Sequence, residues 1–158
     1  MSINIFFLSL NTEKCAQYHC DKHVVKMILE TAQILSSAHW MTGSEAPYRL
    51  THKNHPCSIW ARGSLKNYIW LCDLGKELCA EYTFRYDKIH KTQEVIQLLS
   101  ENRPSLPVSK NTKFPRAMPE KYHHKNIVKS YRDYYIGEKF DILSYKKRGE
   151  PKWMKSVI

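Results

Sequence analysis

Glycine is scarce, with five residues in a chain of 158. That shortage excludes the Gly-rich loops that cradle phosphates and all-β folds built on many tight turns. Long apolar runs are missing as well. No stretch approaches the ~18 residues of a membrane span. The opening MSINIFFLSLNTEK has neither a basic n-region nor a long apolar h-region, so no secretory signal is expected and the protein is expected in the cytoplasm. Five cysteines (Cys15, Cys20, Cys57, Cys72 and Cys79) form an odd set, read as free thiols in a reducing compartment. Acidic residues are short too, at 15 Asp+Glu against 25 Lys+Arg.

What is present points to a folded, basic domain. The chain is 42% hydrophobic and 12% aromatic, which excludes a disordered chain. Its length suits a single domain over residues 1–158. The net charge of +10 calls for a polyanion or, more blandly, for nothing beyond a soluble basic surface. The charge is uneven. Residues 1–79 carry 8 basic and 6 acidic side chains, whereas residues 80–158 carry 17 and 9. The basic half also holds seven Tyr, three Phe and one Trp, a mixture suited to pairing phosphates and stacking bases.

The periodicity reads as mostly helical. Ile3 to Leu8 is a short strand or extended arm, and Asn11 starts a helix to Tyr18. A second helix, capped by Asp21, runs to about Ala38. His55-Pro56 precedes a long helix from about Ser58 to Tyr82, with Ala61, Leu65, Tyr68, Cys72, Gly75, Cys79 and Tyr82 in core spacing. Gly75 inside that stripe suggests a close helix–helix approach. Further helices are expected at about Thr92–Ser100 and Asn126–Tyr135. Between them, residues 101–124 form a long basic loop with Pro104, Pro107, Pro115 and Pro119, a type of connection that is usually functional or mobile.

The segment His19–Ser37 carries the most chemistry. At 100° per residue, Val24, Val25, Ile28, Ala32 and Leu35 share one side. His19, His23, Lys26, Glu30, Gln33 and Ser37 share the other, with Lys22 at its edge. A solvated polar face is the plain explanation. The mixture of His, Lys and Glu is also a set able to move protons and bind phosphate. Cys15, His19, Cys20 and His23 could instead ligate zinc. They lack a paired C-x-x-C, and Cys20 points away from His19 on a helix, so no metal and no cofactor is expected.

Three stretches give the chain a resemblance. They are DKHVVKMILETAQ at residues 21–33, NHPCSIWARGSLKNYIWLCDLGKELCAEYTFRY at residues 54–86 and EPKWMK at residues 150–155. Together they resemble the pyrimidine-dimer DNA glycosylase family, the endonuclease V (dimer-excising) type of phages and bacteria. The resemblance implies an all-α, metal-free fold with a long Pro-rich basic loop. It implies an intracellular, phage-like enzyme that acts as a monomer on double-stranded DNA with a damaged base, in the host cell where a virus encodes it. In that family an N-terminal α-amine attacks C1′ of the damaged nucleotide and forms an imine. The base is released, and β-elimination can follow as an AP-lyase step.

Carried onto this sequence, the resemblance gives Ser2 the amine once Met1 is removed. An α-amine titrates near ~7.7–8.0 and is partly neutral at neutral pH. His23 stands where the family has its catalytic Glu. Glu30, two turns on along the same face, is the best substitute acid, with Asp21 as the alternative. Lys22 and Lys26 would contact phosphates flanking the lesion, with Arg62 and Lys66 as lesser contacts. Lys152, Trp153 and Lys155 would touch the minor groove or the lesion strand. The replacement by His23 leaves open a DNA-binding module without catalysis, and the Cys/His cluster a metal-dependent nuclease.

Overall fold

A computed structural model describes residues 3–108 and 112–157, without the side chains of 155–157. Among the described residues the chain is all-helical, with no strand. Helix α1 spans Thr12–Tyr18, α2 Asp21–Trp40, α3 Pro56–Ala61, α4 Leu65–Tyr86, α5 Gln93–Glu101 and α6 Ile127–Glu138. Short 3-10 turns lie at Glu120–Tyr122, before α6, and at Phe140–Ile142 and Lys152–Val157, after it. Among the described residues no helix is long and apolar enough to cross a membrane.

Side-chain caps explain several helix starts. Asn11 Oδ1 accepts the Lys14 N–H at 2.9 Å, and Asn126 Oδ1 accepts that of Lys129 at 3.1 Å. Asp21 does not cap α2 as expected. Cys20 holds that position, and the Asp21 carboxylate is drawn to Arg85 instead. The expected single helix over 58–82 is two helices. Ser64 is extended (φ −158°, ψ 158°) and its Oγ caps α4 by accepting the Asn67 N–H at 3.1 Å. Helix α4 then runs on to Tyr86, where Asp87 turns left-handed (φ 55°).

The core forms around the N-terminal arm. Ile3, Ile5, Phe6, Phe7 and Leu8 are buried outside any helix, and the Leu8 N–H turns back to the Phe6 carbonyl at 2.8 Å. Phe7 meets Trp60, Trp70, Phe114 and Tyr131 at ring distances between 5.1 and 5.4 Å. Helix α2 packs against α3, α4 and α5. An added Cβ on Gly75 would lie 3.1 Å from an Ile96 methyl and 3.2 Å from that of Thr31, so this glycine sets the close crossing of α2, α4 and α5.

A buried charge network fastens the C-terminal tail to this body. Arg85 is fully buried. It donates to Glu81 Oε2 at 2.8 Å, Asp21 Oδ1 at 3.0 Å and the Gln17 carbonyl at 2.9 Å. Arg148 from the tail clamps Glu81 with bonds of 3.0 and 2.9 Å. Such a network holds only while every partner is present, because removing one strands a buried charge.

Much of the Pro-rich segment is pinned down. The Pro107 carbonyl accepts the Leu65 N–H at 2.7 Å, and the Pro115 carbonyl accepts the Tyr131 hydroxyl at 2.6 Å. Phe114 stacks on Trp60 at 5.7 Å.

Candidate active site

The expected polar stripe of α2 is not a solvated face. His23, Glu30 and Ser37 are buried, while Val25 on the supposed apolar side is exposed. Asn4 of the arm and Tyr135 of α6 meet the helix on that side, so its buried polar groups are bonded inside the protein.

Glu30 is the centre of one such cluster. The Asn4 backbone N–H donates to Glu30 Oε1 at 3.2 Å. Lys26 Nζ lies 3.6 Å from Oε2, one turn back on α2. Among the described residues no hydrogen bond reaches the buried Oε2, which faces only the Lys26 ammonium. Burial raises the Glu30 pKa above the usual carboxylate range, while the charges of Lys26 and His52 and the Asn4 N–H oppose that rise.

Asn4 is held on two further sides. Its side-chain amide donates to the Ala117 carbonyl at 3.1 Å. Its Oδ1 accepts the Ile5 N–H at 2.8 Å and faces Cys57 Sγ at 3.5 Å. Burial pushes the Cys57 thiol up to about 12, so it stays protonated and is no nucleophile at neutral pH.

The other residues expected at the site fall in several places. Ser2 lies outside the described residues. His23 is stacked on Phe6 at 4.5 Å, and its Nδ1 shares a 2.7 Å hydrogen bond with the Tyr135 hydroxyl. Burial pulls its pKa down to about 3, which keeps it neutral. Asp21 is occupied by Arg85, the Ser144 hydroxyl and the Lys146 N–H. Lys22 is exposed, and the Lys26 side chain is half-exposed. Arg62 ends α3, and Lys66 is exposed in the first turn of α4. Lys152 is exposed. Trp153 packs on Tyr18 at 5.7 Å and under the Arg132 guanidinium at 5.2 Å. The Lys155 side chain lies outside the described residues.

The possible metal ligands go separate ways. Cys15 Sγ donates to the Phe6 carbonyl at 3.1 Å, and His19 Nδ1 donates to the Cys15 carbonyl at 2.6 Å. Cys20 Sγ accepts from the Tyr135 hydroxyl at 3.3 Å. Among the described residues no group of three or more His, Cys, Asp or Glu is placed to hold a metal ion.

A family model for pyrimidine dimer DNA glycosylases matches residues 3–95. The chain belongs to the pyrimidine dimer DNA glycosylase family. That match takes in the arm, helices α1 to α4, the start of α5 and every residue of the Glu30 cluster except Ala117. Neither the curated proteins nor the solved structures yield a match to the chain. As a member of a family of DNA repair enzymes that act on pyrimidine dimers, this glycosylase has DNA as its partner.

Asn4, His52, Cys57 and Ala117 were not anticipated at the site of this glycosylase. Asn4 left one trace in the sequence, a polar side chain between Ile3 and Ile5 in an apolar run.

Proposed function

We propose that this glycosylase releases the damaged base through an imine formed by the Ser2 amine, exposed by removal of Met1, and then cleaves the strand as an AP lyase without a metal. The observation that carries this reading is the hydrogen bond from the Asn4 N–H to Glu30. Two residues of chain separate the Asn4 and Ser2 nitrogens, a span of at most about 7 Å. A carboxylate bound that close to the start of the chain is suited to take the proton that the attacking amine releases. Its second oxygen is buried and, among the described residues, faces only the Lys26 ammonium at 3.6 Å.

Lys22 and Lys26 would neutralise phosphates beside the lesion, and the charge of the C-terminal half would supply non-specific affinity. A pyrimidine dimer weakens pairing and eases kinking, which lowers the cost of drawing a nucleotide out of the stack. His23 is buried and neutral, so Glu30 is the acid–base group of this reading.

The test is incubation with ultraviolet-irradiated duplex beside abasic and unmodified duplexes, with and without borohydride. Trapping on the first two and none on the third is expected. Binding without trapping or base release would leave a DNA-binding module and sink the imine mechanism.

A further inference from the structure

We propose that Leu29 is an apolar wedge that enters the base stack at the lesion and keeps the damaged nucleotide within reach of the Glu30 site. The proposal rests on the reading of α2 as a DNA-binding face given above.

The open side of α2 is narrow and mixed. Between Asp21 and Glu30 its exposed residues are Lys22, Val25, Lys26 and Leu29. Gln33 continues the stripe half-buried, and from Ile34 to His39 the helix is buried. Val25 is 39% exposed and Leu29 40%. A single exposed apolar side chain is ordinary. These two stand one turn apart and form a ridge. At about 100° per residue, Leu29 lies between Val25 and Lys26 around the helix, and Glu30 follows at the buried edge.

The charges along the ridge suit a polyanion. Lys22 and Lys26 flank it, and α2 has only two carboxylates, Asp21 and Glu30. Asp21 is paired with Arg85, and Glu30 is buried. The exposed face therefore offers ammonium groups and hydrocarbon without an exposed carboxylate. An apolar partner surface would desolvate both ammonium groups. Duplex DNA instead offers phosphates to the lysines and base faces to the hydrocarbon.

The ridge has a firm base. Val24 and Ile28 are fully buried behind it. His90 Nδ1 accepts the Thr92 N–H at 3.0 Å, which leaves Nε2 to donate to the Val25 carbonyl at 3.1 Å. That bond ties the loop after α4 to the same turn of α2. A side chain that parts stacked bases has to be held by such a rigid element.

Its position also suits the reaction. Leu29 and Glu30 are consecutive, with Cα atoms about 3.8 Å apart. Glu30 is bound to the N-terminal arm through the Asn4 N–H. A nucleotide drawn toward that arm for attack at C1′ leaves a gap in the stack. An apolar side chain that fills the gap opposes its return. Leu29 acts by contact alone and adds no covalent step.

The experiment uses the full chain and a duplex with one pyrimidine dimer and a fluorescent adenine analogue beside it, whose emission rises on unstacking. Binding of wild type should raise the emission, and Leu29→Ala should lose most of that rise. Base release by Leu29→Ala should fall about 10-fold or more on this duplex, the scale of an unstacking cost at one base step. Release from the same dimer in single-stranded DNA should stay within about twofold, because no partner strand has to be left. Leu29→Met restores length and hydrocarbon and should recover both signals. Undiminished emission and release with Leu29→Ala would overturn the proposal. So would an equal loss on single-stranded and duplex DNA. Self-association of wild type that Leu29→Ala abolishes with base release intact would make the ridge a contact between copies, and would overturn it as well. If Leu29→Ala does not fold, Leu29→Gln replaces it under the same criteria. A wild type that binds the lesion but neither releases base nor traps on an abasic duplex overturns the imine reading, and the emission change still decides the wedge. A wild type that does not bind the lesion duplex removes the DNA face and the wedge with it.

Discussion

The backbone N–H of Asn4 donates to Glu30 Oε1 at 3.2 Å, joining the N-terminal arm to a carboxylate 26 residues further along the chain. If this bond marks the catalytic acid–base, Glu30→Gln should lower base release by about 100-fold or more. The amide can still accept the Asn4 N–H, so folding and DNA affinity should change little. Base release and affinity, each measured on irradiated duplex, check the split. Unchanged release would remove Glu30 from the chemistry.

The acid limb of the activity follows from the direction of the Glu30 shift. Burial raises its pKa, and Lys26 is the largest opposing influence. The carboxylate is the working form, so activity falls as pH drops through a pKa above the ordinary glutamate range. Lys26→Met removes the opposing charge and should move that limb to still higher pH. A pH profile of single-turnover base release on both proteins decides it.

Much of the helical layout was legible in the sequence. Asn11 and Asn126 announce their helices because a short polar side chain satisfies first-turn N–H groups. The break at Gly63–Ser64 was not legible, because Ala61, Leu65 and Tyr68 keep core spacing across it. Glu30 was legible from its stripe with Lys26. The burial of that stripe was not, because it depends on the arm and α6 packing on α2.

Acid should destabilise the fold through two buried imidazoles. Burial pulls His19 down to about 4 and His23 down to about 3. An unfolded chain binds those protons near ~6.5. The native state therefore binds fewer protons below that pH, and stability present above about 6.5 is lost as pH falls toward 4 and 3. Melting temperature against pH should fall less steeply for His23→Phe than for wild type.

Arg85 should be the most sensitive structural residue outside the site. Arg85→Met leaves Glu81 and Asp21 without their buried partner. A loss of about 3–5 kcal/mol is expected for breaking such a network from one side. Urea unfolding measures it, and a loss below about 1 kcal/mol would show that the network relaxes.

Phosphate contacts leave a separate signature. Lys22 is exposed at the start of α2. Lys22→Ala should weaken binding to irradiated and unmodified duplex alike. It should also lower the slope of log affinity against log salt by about 0.9. A slope equal to that of wild type would remove Lys22 from the DNA interface.

The central claim is that the N-terminal amine works beside Glu30. Borohydride trapping on irradiated duplex, followed by peptide mapping of the covalent complex, tests it most directly. The account predicts the nucleotide adduct on the N-terminal peptide, at the Ser2 amine of protein lacking Met1. An adduct on Lys26, or no adduct at all on protein with that N-terminus, would contradict it.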